Sequence, residues 1–127
     1  MKYLLDTNVW IDAISGRITP KVFIDLTLQP EWVGYSAITR LELFGFPALN
    51  AEEEQKLIEL LEPFEEVSID SRVIDRAISI RKSIRVKAPD AIIAASALEN
   101  DCLLVTHNTE DFKSIEGLKV VDPYTLL

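Results

Sequence analysis

The chain has 127 residues, 48% of them hydrophobic, and carries thirteen Lys and Arg against twenty-one Asp and Glu, a net charge of −8. That length suits one domain with a real core, and the composition excludes a disordered or low-complexity chain. The acidic balance argues against sequence-blind nucleic-acid binding through a broad basic face, but not against a nuclease whose carboxylates are offset by cations.

In chain order, residues 2–6 read as a short buried strand that delivers Asp6 to its end. An apolar-periodic helix over 8–15 follows, ending near Gly16, and Asn8 is read as its N-cap. Pro20 opens a second helix, filled by 21–28. A strand fits 32–35, and Ser36 caps a helix that runs to about Phe46 and stops before Pro47. Asn50 caps the next helix, "AEEEQKLIELL", whose first-turn glutamates suit the helix dipole. Residues 66–69 are a strand, 71–86 a long amphipathic helix, and Pro89 opens a helix reaching about Asn100. A strand over 103–105, a helical turn over 110–114 and a last strand over 119–121 complete the chain. Strands spaced by helices imply an α/β fold, a mainly parallel central sheet flanked by helices.

The apolar runs are too short to span a bilayer, and the N-terminus lacks a basic region followed by an apolar one, so a soluble cytoplasmic protein without membrane contact is expected. Cys102, the single cysteine, excludes a cysteine metal cage and reads as a small buried side chain. The basic run "RKSIRVK" (residues 81–87) reads first as a solvated helix face.

In open α/β sheets ligands bind outside the carboxyl ends of the strands. Asp6 stands at such an end, and so does "VTHNTEDF", which carries Thr106, Asn108 and Asp111. Glu42 lies in "SAITRLELFGF", a helix apolar over most of its circumference and therefore expected to be largely buried. Asp90 starts the Ala- and Ile-rich helix of "KAPDAIIAASALE". Each acid alone has a plain structural explanation: a turn, a pairing with an Arg such as Arg40, a first-turn acid, a capped short helix. His107 reads as a residue of an exposed turn. Together the four acids are expected to converge on one sheet edge, where like charges raise one another's pKa and a divalent cation relieves them.

The segments "LLDTNVWID", "SAITRLEL", "PDAIIAASAL" and "LLVTHNTEDF", in this order along the chain, resemble the PIN-domain proteins, in particular the small class that includes VapC-type toxins. The resemblance implies a single three-layer, Rossmann-like PIN domain over residues 1–127. It implies a Mg²⁺- or Mn²⁺-dependent ribonuclease with RNA as substrate, a cognate antitoxin as partner, and a homodimer. Carried over to this sequence, the acidic quartet is Asp6, Glu42, Asp90 and Asp111, with Asn8, Thr106 and Asn108 in support. Asp6 and Asp90 are the direct metal ligands expected; Asp111 completes the metal set, and it and Glu42 work through water or position the nucleophile. Asn108 stands where many members carry an acid. Its carbonyl oxygen can ligate or orient a water but adds no charge, so one metal or two remains open.

Other strand-end aspartate chemistries fit less well. A haloacid-dehalogenase-like phosphatase wants a second Asp where this chain has Asn8, and a receiver domain wants an acidic pair before Asp6. The other reading that stands is a PIN-fold module that binds RNA or protein without cleaving. The apolar residues Val22, Phe23, Leu26, Leu57, Leu60 and Leu61 exceed what one sheet face needs and are read as part of an antitoxin groove.

Overall fold

The computed structural model describes residues 1–126. The elements are β1 (Lys2–Leu5), α1 (Thr7–Ser15), α2 (Pro20–Leu28), β2 (Trp32–Ser36), α3 (Ala37–Phe44), α4 (Ala51–Leu61), β3 (Glu65–Val67), α5 (Ser71–Ser83), α6 (Ala88–Glu99), β4 (Leu103–Val105), α7 (Thr109–Phe112) and β5 (Val120–Val121), followed by a short 3-10 turn over Pro123–Thr125. The five strands form one sheet in the order β3-β2-β1-β4-β5, and every neighbouring pair is parallel. The chain winds outward from β1 to β2 and β3, then returns to add β4 and β5 on the other side. The switch point therefore falls between β1 and β4, with all carboxyl ends on one edge, where such folds open a crevice.

A parallel sheet covered on both faces needs apolar side chains on both. In β1, Tyr3 and Leu5 enter one core while Leu4 enters the other. The first core lies under α1, α2 and α4. Its centre is Trp10, fully buried, packed against Phe23, Tyr35 and Phe64 with ring centroids 5.7, 5.8 and 5.3 Å away. The Trp10 indole N–H donates to the Leu5 carbonyl at 3.2 Å, which satisfies its one polar atom inside the core. The second core lies under α5, α6 and α7. Ala91, Ala94, Ala95 and Ala97 of α6 are all fully buried, and their small side chains let this helix approach the sheet closely.

The six apolar residues of α2 and α4 read as groove lining face the core instead. Phe23, Leu26, Leu57 and Leu61 are buried, and Val22 and Leu60 pack against the same core, because both helices cover one sheet face and meet over Trp10 and Phe64. The large apolar residues that these helices do expose are others, Ile24 and Leu28 on α2 and Ile58 on α4, and Ile11, Leu41 and Phe46 are exposed beyond them.

Several boundaries shift for local reasons. α5 stops at Ser83 because Ile84 and Val86 turn inward onto the second core, which a continued helix would prevent. Arg81 then donates to the Val86 carbonyl at 3.2 Å, while Arg81, Lys82 and Arg85 face solvent as a charged face should. β3 ends at Val67 and leaves Asp70 free to cap α5 through the Val73 N–H at 3.0 Å. α3 ends at Phe44, where Gly45 donates to the Leu41 carbonyl. Ser36 and Asn50 are caps as expected, Asn50 in a full capping box with Glu53. Cys102 is buried, and burial pushes its thiol up to about 11, which leaves it an inert core residue. Among the described residues no helix is long and apolar enough to cross a membrane.

Candidate active site

The end of β1 sets the site. The Asp6 N–H donates to the Val105 carbonyl at 2.9 Å, so the first residue past β1 is already tied to β4. Asp6 then adopts extended backbone, and its Oδ1 accepts from the Thr7 N–H at 2.8 Å. Asp6 is therefore the N-cap of α1. The assignment of that role to Asn8 is corrected: Asn8 is already helical, and its side chain works across the sheet edge instead.

The Asn8 amide donates to Asp6 Oδ2 at 3.0 Å and to Thr106 Oγ1 at 3.1 Å. Its carbonyl oxygen accepts from the His107 N–H at 3.3 Å. The Thr106 hydroxyl, fully buried, donates to Asp6 Oδ2 at 2.8 Å and accepts from the Asn108 N–H at 3.1 Å. A hydroxyl has one proton and two lone pairs, and each is used here. The Asp6 carboxylate is thus fixed from both strands.

Glu42 differs from expectation. It is exposed, because α3 buries only Thr39 and Leu43 and leaves Leu41 and Phe46 outside as well. The short helix rides at the sheet edge instead of lying on the sheet, so apolar composition did not translate into burial. Arg40 does not neutralise Glu42; it pairs with Glu66 on β3. Glu42 Oε1 accepts from the Thr7 hydroxyl at 2.7 Å, and Thr7 in turn stands 2.8 Å from the Thr39 hydroxyl. Since Thr7 gives its single proton to Glu42, the buried Thr39 is the donor of the second bond. Thr7 and Thr39 are site residues that the sequence reading passed over. The available signal was their place: Thr7 beside Asp6, and Thr39 three residues before Glu42, on the same helical face.

Asp90 sits in the first turn of α6, half-buried. Asp111 is exposed on α7, whose N-cap position is Asn108, with Thr109 as first helical residue. Burial pushes the Asp6 carboxyl up from 3.8 to about 6, against the pull of the Thr106 and Thr7 donors, and the charges of Asp90 and Glu42 add to it. Burial also raises Asp90, followed by the charges of Asp111 and Glu42, with Lys87 opposing. Asp90 and Glu42 thus share a field with Asp6, and Asp111 joins through Asp90. Among the described residues no ion pair links any of the four to a Lys or Arg.

These hard oxygen donors fit Mg²⁺ or Mn²⁺ in chemistry. They do not form a closed cage: among the described residues, no three Asp, Glu, His or Cys side chains are gathered as a metal-holding group. Mg²⁺ keeps several waters and takes one or two carboxylates together with substrate phosphates, so an open donor set suits it.

His107 is half-buried, where an exposed turn was expected. Its Nδ1 donates to Asp12 Oδ2 at 2.8 Å, and the same oxygen accepts from the Tyr124 hydroxyl at 2.6 Å. Asp12 is 1% exposed, on α1. This bond holds the Tyr124 phenol above its ordinary value, so it remains a donor at neutral pH.

The sequence profile of the PIN domain matches residues 3–118. A protein named Ribonuclease VapC1 from Haemophilus influenzae is 31% identical across 96% of this chain and 98% of its own length. One of the same name from Rickettsia felis is 28% identical across 95% and 96%. Among solved structures, a toxin–antitoxin complex from Klebsiella pneumoniae contains a chain 35% identical, with a TM-score of 0.78 over 96% of this chain and 98% of that one. VapBC-1 from nontypeable Haemophilus influenzae superposes with a TM-score of 0.81 at 27% identity, over 98% and 99%. With the profile spanning nearly all of the strands and helices described above, and VapC-type relatives aligned along both partners' lengths, the chain belongs to the PIN-domain family.

Proposed function

We propose that this chain is a Mg²⁺- or Mn²⁺-dependent ribonuclease that hydrolyses RNA phosphodiester bonds and acts as the toxin of a toxin–antitoxin pair. The observation that carries the reading is the set of uncompensated carboxylates around the switch point, with Asp6 buried and raised to about 6. Names of relatives support the reaction class, and structures of related complexes support the pairing.

Asp6 and Asp90 would hold the ion, with Asp111 completing the set; when bound, it would supply a Lewis acid for the phosphate, a water of lowered pKa and charge stabilisation for the leaving 3′ oxygen. The chain's own residues prepare that reaction. Thr106 and Asn8 hold Asp6 Oδ2 in one orientation, and Thr7 aims Glu42. Glu42, exposed and paired with no cation among the described residues, is the group placed to take a proton from the attacking water. Asn108, exposed and uncharged, orients water or a phosphate oxygen.

The antitoxin is assigned to the groove lined by Ile11, Ile14, Leu43, Phe46 and Leu49, with Glu42 at its side. An amphipathic segment laid there would use apolar anchors, and a basic side chain on it would reach Glu42 and compete with the cation.

The test is cleavage of single-stranded RNA with Mg²⁺ or Mn²⁺, with chelator, and with Asp6→Asn. Metal-dependent cleavage lost in the variant supports the reading. RNA binding without cleavage under any of these metals replaces it with the non-cleaving binding module.

A further inference from the structure

Outside the acidic quartet, the most heavily organised polar group in the molecule is the one around Asp12. We propose that Tyr124 and His107, aimed by the buried Asp12, form with the neighbouring Arg17 a subsite that holds a nucleotide flanking the scissile phosphate of single-stranded RNA. The proposal rests on the ribonuclease reading and adds to it the chemistry of substrate contact.

Asp12 is 1% exposed, and burying a carboxylate is costly unless several donors meet it. Here two rings do so on one atom: His107 Nδ1 and the Tyr124 hydroxyl both reach Oδ2. The rings lie nearly parallel, 15° between planes and 6.4 Å between centroids. Tyr124 is nevertheless 46% exposed. An aromatic ring fixed from below yet open above is what an unstacked base meets when it is splayed onto a protein.

The position suits this role. Tyr124 lies in the turn just after β5, and the Thr106 N–H donates to the Val121 carbonyl at 3.0 Å, so this turn and the site share one sheet edge. His107 directly follows Thr106. Asp12 is about 9 Å along α1 from Asp6, at a rise of about 1.5 Å per residue. Arg17 supplies the cation. Its side chain is 76% exposed, and its NH1 stands 3.8 Å from Asp12 Oδ1, too far for a hydrogen bond, so its donors remain available to a phosphate. An aromatic pair with one arginine lacks the aliphatic anchors that line the groove beside Glu42, which favours a nucleotide over a protein segment.

The experiment measures equilibrium binding of a fluorescent single-stranded oligoribonucleotide by anisotropy, with chelator present to prevent cleavage. A second probe has the same length and backbone but no bases. Tyr124→Ala should weaken binding to the first probe by about 5- to 150-fold, the range for loss of one base–aromatic stack. It should bind the abasic probe like wild type, whereas Tyr124→Phe should retain most of the affinity for the first. Arg17→Ala should weaken both probes and lower the slope of log K against log salt by about 0.7, one phosphate contact on a single strand. Wild-type affinity in Tyr124→Ala, or an equal loss on the abasic probe, overturns the subsite and leaves the ribonuclease reading standing. Failure of the wild type to bind or cleave any single-stranded RNA overturns both. If Tyr124→Ala does not fold, Tyr124→Phe and Arg17→Ala decide: unchanged salt slope in Arg17→Ala together with lost base dependence in Tyr124→Phe overturns the proposal.

Discussion

Asp6 holds two roles that pull in opposite directions. As a cap it accepts donors that favour its charge, and as a buried group it resists that charge, with burial the larger effect. Its folded pKa lies above the unfolded value, so its contribution to stability is fully present below about pH 4 and is lost as the pH rises to about 6. At about 1.4 kcal/mol per pKa unit this loss is on the order of 3 kcal/mol. In chelator, wild type should therefore lose stability relative to Asp6→Asn between pH 4 and 7, read from urea unfolding at each pH. A wild type that gains relative to the variant over this range would mean that the donors outweigh burial. Glu42 is the contrasting case, exposed and held by one hydroxyl. Glu42→Gln should change stability by no more than about 0.5 kcal/mol, yet slow the proposed metal-dependent cleavage by about 100-fold or more, as loss of a general base would. Urea unfolding and initial rates measured on one preparation check both. A loss of more than about 1 kcal/mol would assign Glu42 to the scaffold.

At the scale of elements, the sequence was most legible where one local rule acted alone. β4 is a continuous apolar run bounded on both sides, Pro20 opens α2, and Asn50 with Glu53 makes a capping box. It was least legible where partners come from distant parts of the chain. Nothing near Asn8 says that Thr106 will stand beside it, so the cap fell to the wrong residue. α3 shows why apolar composition is an incomplete guide to burial. Its neighbours Ile11, Ile14 and Leu49 form a groove with Leu43 and Phe46 rather than covering the helix. Conversely, Val22, Phe23, Leu26, Leu57, Leu60 and Leu61 looked too many for one sheet face, and the aromatic cluster of Trp10, Phe23 and Phe64 gives them a core between the two helices. Trp10→Ala should consequently cost about 3–5 kcal/mol, seen as a lowered urea midpoint, whereas Phe46→Ala should cost little and instead weaken capture of the proposed antitoxin. Near-equal stability losses in the two variants would place Phe46 in the core rather than the groove.

For the whole molecule, the acidic surplus and the crowded edge make stability depend on what the site holds. Mg²⁺ or Mn²⁺, binding only the folded site, should raise the melting temperature by mass action. Asp90→Asn should reduce that rise, and an undiminished rise would remove Asp90 from the ligand set. The homodimer implied by the family resemblance is checked by sedimentation at micromolar concentration, where a monomer would discard it. The hydrogen bond from Thr106 to Asp6 joins residues 100 positions apart. β4 must slide in beside β1 after β2, β3 and six intervening helices have already been made. Contacts of such long range form late, since the chain must first lose the entropy of closing that loop. A chain of which only the first hundred residues have been made therefore carries Asp6, Glu42 and Asp90 but neither the Thr106 that orients Asp6 nor Asp111. On the ribonuclease reading proposed above, the order of synthesis would act as a safety interval, in which the growing chain is harmless to the RNA that is making it.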